Sequence, residues 1–217
     1  DEKSQNENGF DSIDYAISKA RENGLYVFVI YHVRQMLDGS EANSADGHSL
    51  DLAAERAGDF AAAYQPDAIL LDGYAYASDA SGYENYLANG SGIGYKNYAR
   101  QIPESFLQAC AKGIRKKAPD TQVGLLSAAV WENSTAHPEG SETTAAYTDL
   151  SDGNCDTRAL LQEGLFDCIM VQNDGSAEEQ QAAKFDVVTA WWAKEAQISN
   201  TPLYIMCGTV QSADPFE

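Results

Sequence analysis

Positive charge is scarce in this chain. Its 217 residues include 14 lysines and arginines against 33 aspartates and glutamates, which gives a net charge of −19 at pH 7. Nucleic acids are bound largely through clustered Lys and Arg side chains that neutralise phosphates. The composition therefore argues against nucleic acid or an anionic membrane surface as a partner. A strongly solvated acidic surface is the simplest explanation of the excess of acids.

Cysteine pairs and long apolar runs are also missing. Cys110, Cys155, Cys168 and Cys207 form no CxxC pair, so we expect buried free thiols rather than a metal or redox centre. No apolar run reaches the roughly 18 residues of a membrane span. The acid-rich segment 149–156 lacks the spacing of an EF-hand loop. No metal and no cofactor are therefore predicted.

The chain does contain an alternation of helical and strand-like segments. Apolar residues at helical spacing predict helices over residues 11–23, 50–64, 98–117, 156–163 and 178–197. Continuous apolar runs predict strands over residues 25–31, 68–71, 121–130, 166–171 and 202–210. Long polar loops are predicted over residues 78–94 and 134–153. This order indicates an α/β fold, with a parallel sheet covered on both faces by helices.

Two architectures fit five parallel strands: a complete doubly wound sheet, or five consecutive strands of an eight-stranded barrel. The connections that follow strands are long, whereas those that lead from helix to strand, such as 23–24 and 65–67, are short. Barrel enzymes typically have their long loops at the carboxyl ends of the strands, where the active site is built. A flavodoxin-like domain needs a phosphate-binding turn after its first strand, and residues 32–36 contain no glycine. The pattern therefore favours a parallel (β/α) barrel.

The segment 66–76 ends an apolar run on Asp72. Catalytic groups of α/β enzymes lie at the carboxyl ends of buried parallel strands. Glu132 lies just beyond the next predicted strand, and neighbouring strands are roughly 4.8 Å apart. Two such side chains can hold their carboxyl groups about 5 to 9 Å apart, the range that glycosidases use. We predict Glu132 as the acid and Asp72 as the nucleophile or base.

The same two residues have simpler interpretations. Asp72 could bind backbone amides of the loop that follows it. Glu132 could be a solvated loop residue. A second carboxyl opposite Asp72 is the feature that separates hydrolysis from binding alone.

Other residues beside strand ends are candidate substrate-binding positions, namely His32, Tyr74, Tyr76, Trp131, Asn133, Gln172, Asn173 and Asp174. The amide side chains can donate and accept hydrogen bonds to sugar hydroxyls. The aromatic rings can stack on the apolar faces of a pyranose. For each of them, packing or a structural hydrogen bond is the alternative interpretation.

Four segments match the patterns of a known family. Residues 10–17 and 20–27 are similar to its "DPLxFAIEEAHxRGLEVHAW", and residues 67–76 (DAILLDGYAY) to its "DGIHFDDYFY". Residues 123–133 (VGLLSAAVWEN) are similar to "VKFGISPFGVWRN". Residues 156–172 (DTRALLQEGLFDCIMVQ) match "DTRKWLxEGWIDYIAPQ", which is the most specific of the four. Together they resemble the glycosyl-hydrolase-like family 10, a group of bacterial TIM-barrel proteins.

The resemblance implies that the chain carries barrel strands three to seven, as one catalytic-type domain over residues 1–217 that is incomplete at both ends. It implies a glycoside hydrolase of the bacterial cell envelope or exterior, acting on a polysaccharide such as cell-wall glycan. A further domain or a second copy would then complete the barrel. Gly73 stands where the family has a second acid, which motivates the alternative of a catalytically degenerate, glycan-binding barrel.

Overall fold

A computed structural model describes residues 10–35, 37, 45–76, 80–90, 92–175 and 177–207. Its strands are β1 (Phe28–His32), β2 (Ala68–Asp72), β3 (Gln122–Ala128), β4 (Cys168–Asn173) and β5 (Leu203–Cys207). Its helices are α1 (Ser12–Glu22), α2 (Gly47–Tyr64), α3 (Ala80–Asn89), α4 (Tyr95–Lys117), α5 (Thr157–Gln162), α6 (Ala177–Ala182) and α7 (Phe185–Ser199). None of these helices combines the length and the apolar character that a membrane span requires.

The five strands form one parallel sheet, in the order β1-β2-β3-β4-β5. The α/β class and the parallel sheet predicted from the sequence are confirmed. A doubly wound sheet reverses its strand order at a switch point, whereas here each strand pairs with the next one along the chain. The consecutive order is that of a barrel segment.

The sheet is strongly curved. The rings of Phe28 on β1 and Tyr204 on β5 meet edge to face, with 5.0 Å between their centroids. Four strand spacings of roughly 4.8 Å would separate β1 and β5 by about 19 Å in a flat sheet. Contact between the two outer strands therefore requires the sheet to curl toward the face that carries these rings. The fold is consistent with part of a barrel, and closure is not observed.

The two faces of the sheet pack differently. The convex face carries alternate strand residues, including Ile69, Leu125 and Val171, into a large core that the helices cover. The concave face carries a small cluster drawn from strands alone, among the described residues, with Leu70 and Leu126 at its centre. The expectation of helices on both faces is wrong for the described part of the chain, because curvature leaves the inner side too narrow for a helix.

Two predicted segments differ from the structure in more than their ends, and residues 208–210 of the last predicted strand lie outside the described residues. The segment predicted as a loop over residues 78–94 contains α3, whose residues include Tyr83 and Tyr86 that pack on Tyr95 of α4. The predicted helix over residues 178–197 is divided into α6 and α7. Packing of Tyr83 and Tyr86 against α4 supports α3 although its sequence is polar.

The cysteines are free thiols, as predicted. Cys110, Cys155 and Cys168 are buried. Cys207 is exposed, because it ends β5, a strand at the edge of the sheet in the described part of the chain. The expectation that it is buried is therefore wrong.

Aspartates fix the amino-terminal end of the sheet. Asp67, just before β2, accepts a hydrogen bond of 2.8 Å from the backbone N–H of Val27, just before β1. Asp167, just before β4, accepts one of 2.8 Å from the N–H of Val123 on β3. These acids hold neighbouring strands in register. Asp72, at the opposite end of β2, begins the candidate site.

Candidate active site

Asp72 is the last residue of β2 and lies at the carboxyl-terminal edge of the sheet. It is opposite His32, the last residue of β1, in the strand register. His32 Nδ1 lies 3.1 Å from Asp72 Oδ2, and both side chains are partly exposed. The structure therefore brings together two residues that the sequence predicted separately. At this distance the imidazole can orient the Asp72 carboxylate.

Gly73 turns the chain immediately after Asp72. Its φ is +64°, in the left-handed region that side chains rarely adopt. A Cβ atom placed there would lie 3.2 Å from His32 Cβ and 3.3 Å from His32 Nδ1. A residue with a side chain at this position would strain the backbone and push on the imidazole. The local backbone therefore explains why a glycine stands where the resembled family has an acid.

A small cavity of about 130 Å³ opens beside Asp72, and we call it the Asp72 cavity. Its walls include two residues predicted for substrate binding, Tyr74 and Gln172, and two that were not predicted, Tyr147 and Asp149. Asp149 is thus an acidic residue that lines the same cavity as Asp72. This placement makes Asp149 a candidate for the second carboxyl that separates hydrolysis from binding alone.

Asp149 is almost completely buried, with 1% of its surface exposed. Its carboxylate accepts hydrogen bonds from Ser127 Oγ at 2.7 Å, Thr157 Oγ1 at 3.1 Å and the Tyr74 hydroxyl at 3.2 Å. Burial raises its pKa from 3.8 to about 6, although these three donors oppose the rise. Asp149 thus holds its proton to a higher pH than an ordinary aspartate does.

The long connection between β3 and α5 positions Asp149. Its N–H donates to the Val130 carbonyl oxygen at 3.2 Å, and the neighbouring Leu150 N–H donates to Trp131 O at 3.0 Å. The segment thereby folds back along the residues that leave β3. Sequence reasoning considered residues 149–156 only as a metal loop and missed this residue. Hydrogen bonds to Tyr74, Ser127 and Thr157 link three distant parts of the chain, and no local spacing signals them.

Tyr147 stands at the border of two cavities. It lines the Asp72 cavity and a larger one, and 45% of its surface is exposed. Burial of its hydroxyl, together with the charges of Asp149, Asp152 and Asp72, raises its pKa above the ordinary value. The phenol is therefore a neutral hydrogen-bond donor at physiological pH. Its ring is available to a ligand on the exposed side.

The larger cavity has a volume of about 620 Å³, and we call it the Asn173 cavity. Its walls include Gln172, Asn173 and Asp174 from the end of β4, all three predicted from the sequence. Further walls are made by residues 144–147 and by Glu179, Ala182 and Ala183. Gln172 and Tyr147 belong to both cavities, so the two spaces are contiguous.

Glu132 lies elsewhere. It is buried, with 3% of its surface exposed, and its carboxylate accepts hydrogen bonds from the Asn133 N–H at 2.8 Å and from the Ser151 hydroxyl. Thr148 Oγ1 donates to the same carboxylate at 3.5 Å. Glu132 lines neither cavity. Its predicted role as the acid stays a prediction, while its contacts in the structure are those of a residue that holds the loop together.

Three other predicted site residues also have structural partners and line neither cavity. Trp131 is buried, stacks on Trp191 at 5.7 Å between ring centroids, and donates from Nε1 to Asp156 at 3.0 Å. Asn133 Nδ2 donates to the Ala145 carbonyl oxygen at 2.9 Å. Tyr76 is buried and its hydroxyl donates to Gly82 O at 3.4 Å. Tyr76 follows β2, whereas Trp131 and Asn133 follow β3. All three side chains bind or pack within the loops beyond these strand ends.

The described residues contain no group of three or more His, Cys, Asp or Glu side chains that could hold a metal ion. Carboxyl and phenol groups line the two cavities, and the His32 imidazole contacts Asp72 beside the smaller one.

Comparison with known proteins gives distant relatives. No protein-family model matches the chain. The chain is 28% identical over 153 residues to Glycosyl hydrolase YngK of Bacillus subtilis (strain 168), and this aligned region covers 67% of this chain and 29% of that protein. It is 27% identical over 159 residues to Glycosyl hydrolase DigH of Escherichia coli (strain K12), and this aligned region covers 70% of this chain and 35% of that protein. The chain thus spans about a third of the length of these curated relatives.

Proposed function

We propose that the protein is a glycoside hydrolase that cleaves O-glycosidic bonds of a polysaccharide through two carboxyl groups, one of them Asp72. The observation that supports this most directly is that Asp72 and Asp149 line one cavity at the carboxyl-terminal edge of a parallel sheet. Relatives named glycosyl hydrolases point to the same reaction class. The resemblance to glycosyl-hydrolase-like family 10 makes cell-wall glycan the first substrate to examine.

The two carboxyl groups suit different roles. Asp72 is partly exposed and oriented by His32, which suits a nucleophile or a base that activates water. Asp149 is buried, and its raised pKa suits the acid that protonates the leaving oxygen. In this proposal Asp149 takes the role that the sequence assigned to Glu132. Gln172 and Tyr147, which line both cavities, would contact the sugar on either side of the scissile bond.

The test is hydrolysis of purified peptidoglycan and a panel of plant polysaccharides by the full-length protein that carries this chain. Release of reducing ends is measured for the wild type and for Asp72→Asn, Asp149→Asn and Glu132→Gln. We expect Asp72→Asn to lower kcat by about 10³-fold and Asp149→Asn by about 10²-fold, with folding retained. Asp120→Asn is the control, because Asp120 is exposed at the opposite end of the sheet.

The three variants separate the competing assignments. Loss of turnover in Glu132→Gln with wild-type stability would restore the pair that the sequence predicted. Unchanged turnover in Asp72→Asn would reject every assignment made here.

A second candidate function is binding without hydrolysis. It is favoured by the hydrogen bonds that Asp149 already accepts from Ser127, Thr157 and Tyr74, which a buried structural carboxylate also makes. In that case the wild type would bind glycan fragments, with Asp72→Asn weakening affinity, and no polysaccharide in the panel would be cleaved.

The outer strands motivate a proposal about assembly. β1 and β5 end the sheet in the described part of the chain, and Ile30 and Tyr204 on its concave face are 42% and 41% exposed. Unpaired strand edges and exposed apolar residues favour further strands, from another part of the same polypeptide or from a second copy. A molar mass measured by light scattering distinguishes these sources.

A location outside the cell or in its envelope is proposed from the family resemblance alone.

A further inference from the structure

We infer that the Asn173 cavity is a second sugar subsite, which binds an uncharged unit next to the one held at Asp72. This inference rests on the proposed function and adds to it the length and the charge class of the substrate. Asn173 would provide a buried hydrogen-bonding group, and Tyr147 would form a wall that both subsites share.

The sizes of the two cavities support the division. Ligand sites usually have volumes of about 300 to 1,000 Å³. The Asp72 cavity, at about 130 Å³, lies below this range, and the Asn173 cavity, at about 620 Å³, lies within it. The two share Ala128, Tyr147 and Gln172. A glycan that reaches Asp72 would therefore place its next unit in the larger space.

Asn173 contributes an unused hydrogen-bonding group. The residue exposes only 7% of its surface, and its Nδ2 is buried without a hydrogen-bond partner among the described residues. A buried donor that is left unpaired costs roughly 1 to 3 kcal/mol, so such groups are rare in proteins. Asn173 lines the cavity, and the terminal torsion of its side chain is broad, so the amide can turn either end toward a ligand. A sugar oxygen would supply the missing acceptor.

Tyr147 supplies an aromatic surface between the two subsites. It is 45% exposed although it belongs to both cavity walls. Exposed apolar surface of this size at the junction suits stacking against the C–H face of a pyranose. The neutral phenol adds a donor at the same place. Loss of this ring would weaken binding of a glycan that spans both cavities more than binding of a single unit.

The charge of the larger cavity indicates an uncharged occupant. Asp174 and Glu179 line it, and none of its lining residues is Lys, Arg or His. Six of the others are alanines, namely Ala128, Ala129, Ala145, Ala146, Ala182 and Ala183. A uronic acid would meet two carboxylates and no cation, which disfavours it by like-charge repulsion. Small apolar walls and acids together favour neutral sugar units.

The test is binding measured by calorimetry, with Asp72→Asn as the background so that no substrate is consumed. The probes are cello-, xylo-, manno- and chito-oligosaccharides of two to six units, and oligogalacturonates of the same lengths. We expect a neutral series whose affinity rises with length, and no measurable binding of oligogalacturonates. Asn173→Ala and Tyr147→Ala should each weaken binding of the longer neutral ligand by about tenfold.

Matched variants control for structural damage. Tyr83→Ala removes a tyrosine of similar exposure, 48%, on α3, and Asn97→Ala removes an exposed amide on α4. Both should leave affinity unchanged. Asn173→Ala should also leave the thermal midpoint unchanged or raise it, because an unpaired buried donor is removed.

The outcomes separate the two proposals. If the wild type cleaves a glycan but Asn173→Ala and Tyr147→Ala bind it like their controls, the subsite is rejected and the hydrolase stands. If neutral oligosaccharides bind with the expected losses but the wild type cleaves neither them nor peptidoglycan nor any polysaccharide of the panel, the hydrolase is rejected and the subsite stands. Binding of oligogalacturonates as tightly as neutral chains, or of no oligosaccharide at all, would also overturn the subsite.

Discussion

His32 and Asp72 occupy matched positions at the ends of neighbouring strands, with 3.1 Å between His32 Nδ1 and Asp72 Oδ2. The parallel register places both side chains on the same face of the sheet. The distance is that of a hydrogen bond or, when the imidazole is protonated, an ion pair. We propose from this contact that His32 positions the carboxylate, while its predicted role in substrate binding stays a prediction.

Replacement of His32 tests this role. We expect His32→Ala to lower kcat by about tenfold, because Asp72 loses the group that orients it. Stability should change by less than about 1 kcal/mol, since both side chains are partly exposed to solvent. Steady-state kinetics and urea unfolding measure the two effects. A variant with wild-type kcat would show that Asp72 needs no support from β1.

Gly73 offers a test of the same contact through the backbone. We expect Gly73→Ala to lower the free energy of unfolding by about 1 to 2 kcal/mol from its positive φ alone, and further because the new Cβ meets His32. Gly24→Ala is the matched control, because Gly24 has a φ of +70° and nothing within 4 Å of such a Cβ. The difference between the two variants, measured by urea unfolding, isolates the pressure on His32. Equal losses would mean that His32 moves aside freely.

The raised pKa of Asp149 predicts a pH-dependent stability. Folding raises this pKa from 3.8 to about 6, so the folded protein holds the proton to a higher pH than the unfolded chain does. The stability linked to this group is complete below about pH 3.8 and is lost as the pH rises through about 6. The loss is on the order of 3 kcal/mol. Urea unfolding of wild type and Asp149→Asn across this interval should show it only in the wild type.

The same group should shape the pH profile of activity. If Asp149 is the acid, kcat/KM falls above about pH 6 as the proton is lost. Asp120→Asn should keep both the profile and the stability curve of the wild type. A descending limb near pH 6 that survives in Asp149→Asn would assign the titration to another residue.

Glu132 should prove to be a loop residue in the folded protein. We expect Glu132→Ala to lower the free energy of unfolding by about 1 to 3 kcal/mol, because the Asn133 N–H and the Ser151 and Thr148 hydroxyls lose their acceptor. Turnover per folded molecule should remain within about twofold of wild type. Thermal unfolding and active-fraction kinetics provide the measurements. A stable variant without turnover would contradict the structural role and support Glu132 as the catalytic acid.

Several features follow from local sequence alone. Continuous apolar runs that alternate with amphipathic helices predict parallel strands, and the structure confirms five of them. β2, β3 and β4 are largely buried, whereas β1 and β5 are partly exposed. An acid that directly follows such a run must lie at the carboxyl-terminal edge of the sheet, as Asp72 does. His32 and Gln172 reach the same edge for the same reason. Strand geometry dictates these positions, because a backbone ladder places each strand end within a few ångströms of the next.

Tertiary contacts decided the rest. The connection between β3 and α5 has no repeating apolar pattern, so its hydrogen bonds and packing contacts, several of them with distant residues, determine its path. Those bonds bring Asp149 to Tyr74 and Ser127, and turn Glu132 toward Ser151, although both acids belong to one connection. The sequence determined which edge of the sheet carries the chemistry. The folded loop determined which carboxyl shares a cavity with Asp72, because burial and hydrogen bonding of a loop side chain depend on partners far away in the chain.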